Sequence, residues 1–171
     1  MFQPHTITFA AVLMIAVVHL SGCCSEFTRV QECNALIDTV NSNQFNLDGS
    51  AGEDPKQFIA QLQSMAKKAE EGAKSIENLG LTDETLVQHA KSYRTMLRDL
   101  SKAAADMATA LEAMNSTANE AESVKTTVEM EALKARLEVH EKEVEGQQKR
   151  FDALVDKEDT VVDAINGYCT P

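Results

Sequence analysis

Past residue 25 the apolar side chains recur at alternating steps of three and four, the spacing that lines one face of an α-helix. The pattern predicts four helices. In the first, about residues 26–43, the face is Phe27, Val30, Cys33, Ile37 and Val40. The second, about 55–79, carries Phe58, Leu62, Met65, Ala69, Gly72, Ile76 and Leu79, a heptad seam of the coiled-coil kind. The third, about 83–115, carries Leu86, Ala90, Tyr93, Leu97, Leu100, Ala104, Met107, Leu111 and Met114. The fourth, about 124–166, runs Leu133, Leu137, His140, Val144, Gln147, Phe151, Leu154, Glu158, Val161 and Ile165, so polar side chains interrupt its seam.

Helix-boundary signals punctuate the pattern. Asp54 is a good N-cap and Pro55 suits a first helical turn, where its missing N–H costs nothing. Gly80 is an expected stop, and Thr82 an expected cap with Asp83 and Glu84 at the positive helix end. Leu81 is placed to staple onto Leu86. The stretch NSTANE, Asn115 to Glu120, is the expected turn between the third and fourth helices, and Gly167 the expected end of the fourth. NSNQFNLDGSAGEDP, ending at Pro55, reads as the extended loop. Proline occurs only at Pro4, Pro55 and Pro171, and no alternating strand-like run is present. The fold class is therefore all-α: an elongated antiparallel up-and-down helical bundle of three to four helices, in one domain over residues 23–171. Coiled coils completed by oligomerisation are the rival, so an oligomer stays open.

The segment before the helices differs in kind. No charged side chain occurs among the first 22 residues, and Thr6 to Leu20 is an apolar run shorter than the ~20 residues of a bilayer span. A short apolar core followed by small residues is the pattern of a signal peptide, here residues 1–22. Directly after it, Leu20-Ser21-Gly22-Cys23 resembles the lipobox of bacterial lipoproteins: an aliphatic residue, a small one, Gly or Ala, then Cys. The resemblance implies cleavage between Gly22 and Cys23. It also implies a diacylglycerol on the Cys23 thiol and an acyl chain, such as palmitate, on its new amino group. Each buried methylene contributes roughly 0.8 kcal/mol, and stable anchoring takes two chains. The implied partner is thus a membrane, reached through the N-terminal lipid anchor. Cys24 stands where an Asp favours inner-membrane retention in enterobacteria, so the implied location is the cell envelope, at the outer membrane rather than the inner.

Charge narrows the remaining partners. The chain of 171 residues has 27 acidic against 16 basic side chains, a net −11, all of it after Gly22. Nucleic acid calls for a basic footprint, which is lacking, and an anionic lipid surface would repel the domain except through its anchor.

With Cys23 assigned to lipid, Cys24, Cys33 and Cys169 remain. In an up-down-up-down bundle the start of the first helix and the end of the fourth share one end, so Cys33 and Cys169 are expected to form a disulfide. Cys24 with Cys169 is the alternative pairing, and two small buried hydrophobes the unbonded one.

Candidate chemistry is sparse, and neither catalytic residues nor a metal site nor a cofactor is expected. Di-iron bundles use Glu-x-x-His, but Leu137 precedes His140 and Leu86 precedes His89 at that spacing. No C-x-x-C-H is present for covalent haem. Met65, Met107 and Met114 lie on seams, where Met fills gaps. NLDGSAGED departs from the calcium-loop pattern, and Asn115-Ser116-Thr117 has the form of a glycosylation acceptor. The expected role is structural or protein-binding, with a partner in the envelope. The alternatives are a periplasmic ligand-binding sensor or carrier and, further off, a haem- or metal-binding bundle.

Overall fold

The computed structural model describes residues 28–43 and 54–170. Among them are four helices and no strand: α1 (28–42), α2 (Pro55–Glu77), α3 (Glu84–Glu120) and α4 (Thr127–Cys169), with a 3₁₀ turn over Ala121–Ser123. The chain is an all-α helical bundle.

Ion pairs and hydrogen bonds between helices fix the direction of each. Along α3 and α4, Asp99 meets Lys157, Asp106 meets Arg150 and Glu120 meets Arg136, so one number rises as the other falls. Between α2 and α3, Glu77 meets Arg94, the Ser101 hydroxyl donates to the Ala66 carbonyl, and Gln63 donates to Glu112. All four helices meet at one end, where Cys33 of α1 lies beside Cys169 of α4. At ~1.5 Å per residue α4 is roughly 65 Å long and α1 about 22 Å, so α1 accompanies the others over only part of their length.

That inequality divides the core in two. Near the shared end, Cys33, Leu36 and Val40 of α1 pack with Ala73, Ile76, Leu86, Ala90, Tyr93, Leu97 and Ile165. Farther along, Ile59, Leu62, Met65 and Ala69 of α2 pack with Leu100, Ala104, Met107, Phe151 and Leu154, a three-helix core. The step falls where α1 ends: Asn43 lies against Gly72, and a Cβ at Gly72 would sit 2.5 Å from its Oδ1. The Asn43 side chain, at the end of α1, occupies the space that a Cβ at Gly72 would take.

Most seams hold as expected. Leu86, Ala90, Tyr93, Leu97, Leu100, Ala104 and Met107 are buried, and Leu111 and Met114 are half-buried. On α1 the face is turned relative to the expected row. Leu36 is fully buried and Val30 is 53% exposed, so the inward row is Cys33, Leu36 and Val40, with Ile37 at its edge. Phe27 lies outside the described residues.

Three boundaries differ from the pattern. Asp54 caps α2 as expected and Gly80 takes φ 64, but Asp83 rather than Thr82 caps α3, accepting from the Thr85 and Leu86 amides. NSTANE is helical to Glu120, not a turn, because it contains neither Gly nor Pro and Thr117 is buried. The chain instead turns just before Thr126, whose hydroxyl accepts from the Glu129 amide while Glu129 accepts from the Thr126 amide, a capping box. Gly167 does not end α4, which runs on to Cys169.

Tyr93 is the largest fully buried side chain, and its hydroxyl has no hydrogen-bond partner among the described residues. Tyr93→Phe removes an unsatisfied donor and keeps the ring, so urea unfolding should show stability unchanged or raised by up to ~2 kcal/mol. Leu97→Ala, at an equally buried site that loses packing, should cost about 2–5 kcal/mol by the same measurement.

Candidate functional site

Lipidation at Cys23, with cleavage between Gly22 and Cys23, falls outside the described residues. The described chain begins just after it, at the end of the bundle where all four helices meet, and that end holds a disulfide and a set of hydrogen bonds between helices.

Its covalent link is Cys33–Cys169, with Cα atoms 5.5 Å apart, within the usual span of a disulfide. Cys33 is buried, and Cys169 packs half-buried against the same core. Beside it a carboxylate from α1 organises the α2–α3 turn. Glu32 accepts from the Thr82 amide at 3.0 Å, the Thr82 hydroxyl at 2.5 Å and the Asp83 amide at 2.9 Å. Asp83, besides capping α3, accepts from the Tyr168 hydroxyl at 3.1 and 3.0 Å. The Tyr168 ring leans on His89, centroids 5.8 Å apart. Each contact joins residues far apart in sequence, and together they connect α1, the α2–α3 turn, α3 and α4. They also explain why α4 passes Gly167: its last turn is held by Tyr168 and Cys169.

The same contacts set the charge state. The Thr82 hydroxyl, then the Asp83 amide, hold the Glu32 carboxyl below the ordinary carboxylate range. Asp83 is lowered first by the Leu86 amide, then by Tyr168, and the Arg29 charge adds to it. Both groups therefore favour the fold when ionised.

Elsewhere the polar seam residues of α4 stay separate. His140 is half-buried with Nδ1 3.9 Å from Glu143 Oε2, and the buried Nδ1 and the Gln147 Oε1 have no hydrogen-bond partner among the described residues. Burial, then the charge of Asp159, raises the Glu158 carboxyl above its ordinary value. Burial pushes the Tyr93 phenol up, and Glu158 adds to that. Among the described residues, no three His, Cys, Asp or Glu side chains converge as metal ligands would. Met65 and Met107 pack in the three-helix core, and Met114 is half-buried. Asn115, Ser116 and Thr117 lie on a helix, with Thr117 buried. Sequence periodicity did not single out Glu32, Asp83 or Tyr168 as one cluster, because their partners lie 50 and 85 residues away.

No family model, curated protein or solved structure matches the chain.

Two outcomes follow at this end. Cys33→Ser with Cys169→Ser opens a loop of 136 residues, and should lower stability by about 2–4 kcal/mol, with ~5 kcal/mol the loop-entropy ceiling. Non-reducing peptide mass spectrometry should recover the two cysteines in one cross-linked fragment. The folded value of Glu32 is depressed, so its contribution is present above the unfolded value of 4.5 and fades as pH falls through the folded one. Glu32→Gln should therefore destabilise the protein near pH 7, and urea curves of variant and parent should converge near pH 2.

Proposed function

We propose that the protein is a lipid-anchored component of the bacterial cell envelope, tethered through Cys23, whose helical bundle has a non-catalytic structural or protein-binding role. The observation that carries this reading is Leu20-Ser21-Gly22-Cys23 placed directly after an apolar run that is short for a bilayer span. Among the described residues no helix is long and apolar enough to cross a membrane, so attachment by the described part would need another device. Acyl chains on Cys23 supply one, with two chains giving stable binding where one is marginal.

The bundle fits such a tether. The chain from Cys23 to Thr28 reaches at most about 18 Å, so the end with the disulfide stays next to the lipid. Pull on the anchor passes from α1 through Cys33–Cys169 into α4, the longest helix, rather than unpeeling the short α1. The antiparallel hairpin of α3 and α4 then carries its distal turn, near Ala121, tens of ångströms from the attachment point. Two cores of buried apolar side chains support a scaffold or docking role over a carrier with its ligand inside the bundle. The outer membrane is the proposed location, from Cys24 at the position that would carry a retention Asp.

Replacing Cys23 with Ser tests the tether. In a bacterial host the parent should sediment with envelope membranes, and the variant should move to the soluble fraction. Mass spectrometry of the parent's mature N-terminus should find an acylated Cys23. Unchanged sedimentation of the variant, or a mature chain beginning elsewhere, overturns the reading.

A further inference from the structure

We propose that the groove between the last turn of α2 and the first turns of α3 is a docking surface for an acidic segment of a partner protein, one that sets a single apolar side chain beside a carboxylate. The proposal rests on the protein-binding part of the reading above, but not on the tether.

The floor of the groove is apolar. Ile76 and Ala90 are buried at its base, Leu81 is half-buried and Val87 stands 40% exposed. The rim is cationic, with Lys91 and Arg94. The volume, 240 Å³, falls below the ~300–1,000 Å³ of sites that enclose small molecules. It suits one anchoring side chain, the way protein interfaces seat an apolar hot spot in a pocket.

Charge selects the occupant. Glu77, at the last position of α2, takes Arg94 Nη1 at 3.0 Å on one oxygen and Arg98 Nη2 at 2.9 Å on the other. That carboxylate holds both guanidinium groups in place without balancing them. Lys91 has no ion-pair partner among the described residues, and the buried Arg94 Nε has no acceptor. The groove lining therefore carries two cations, Lys91 and Arg94, against the single carboxylate of Glu77, which Arg98 also pairs from outside the lining, on a chain whose net charge is −11. An acidic ligand meets complementary charge there, which steers encounter and fixes orientation.

The test uses the full chain in detergent micelles and a fluorescein-labelled peptide of one Leu flanked by Glu residues, with binding read by anisotropy. Saturable binding is expected. It should weaken at least ~10-fold when the peptide's Glu residues become Gln, when its Leu becomes Ala, or when the protein carries Val87→Glu or Lys91→Glu. Both protein positions are exposed, and circular dichroism should show the helices unchanged. The Cys23→Ser protein should bind the peptide like the parent, so loss of the tether and loss of the groove read out separately. Equal binding of the Gln peptide, indifference to Val87→Glu, or no saturation at millimolar peptide overturns the proposal. So does a lipid occupant, seen as Cys23→Ser protein sedimenting with phosphatidylglycerol vesicles unless Val87→Glu is added. Self-association of the parent that Val87→Glu abolishes would assign the groove to a second copy and overturn it as well.

Discussion

The bundle depends on α3 being apolar on two sides at once. Leu86, Tyr93, Leu97, Leu100 and Met107 form its expected seam, but Met96, Ala103, Ala108 and Ala110 are buried too. α3 can thus pack against α2 along one flank and α4 along the other. Alanine is what makes the double contact feasible, since a small side chain lets neighbouring backbones come close while retaining the best helix propensity. α2 and α4 each need only one apolar stripe, and their outer faces are left to charge. A bulky residue in place of Ala103 or Ala104, both fully buried, would force a neighbouring helix outward, since packed interiors absorb little added volume.

α1 is held by different means. It is short, and isolated helices of its length are marginal in water, so its stability comes from what it touches. Three buried side chains, one disulfide and the Glu32 network supply that. The network is charged where the core is apolar, and the two act in sequence along the helix: Glu32 fixes the α2–α3 turn, Cys33 fixes α4, and Leu36 and Val40 fill the space between. Because Glu32 accepts from the Asp83 amide and Asp83 in turn caps α3, the α1 carboxylate also settles where α3 begins. Thr82, although a good capping residue, turns its hydroxyl to Glu32, and Asp83 accepts from the Thr85 and Leu86 amides instead.

Most of the architecture was legible in the sequence because heptad spacing is local and strong. The seams of α2 and α3, the Asp54-Pro55 start and the Gly80 turn each rest on a few adjacent residues. Boundaries were less legible where two signals competed. Asn115 to Glu120 has turn-forming residues without a true helix breaker, and the buried Thr117 carries the helix through. The start of α4 was written in the chain as Thr126-x-x-Glu129, a capping-box spacing that periodicity alone does not reveal. On α1, Leu36 takes the place of Val30 in the core while Cys33 and Val40 belong to both rows, and which row faces inward is set by neighbouring helices far away in sequence. The charged cluster at the shared end was hidden for the same reason: Glu32, Asp83 and Tyr168 are unremarkable polar residues until the topology brings them together.

The charged faces explain how register is chosen once the seams have formed. A heptad seam slides onto its neighbour in steps of seven with little change in apolar contact, so apolar packing alone leaves the register of long helices loosely set. Pairs such as Arg150 with Asp106 and Lys157 with Asp99 make one register distinct, although exposed pairs of this kind contribute at most ~1 kcal/mol each. The polar positions on the α4 seam act the same way. A slip of one heptad would move Glu158 toward the site now filled by Phe151, His140 toward that of Leu133 or, in the other direction, Gln147 toward that of Leu154, burying more deeply polar groups that are half-buried in the present alignment. α4 gives up apolar contact at those positions, and in return the hairpin it forms with α3 has one alignment along its length.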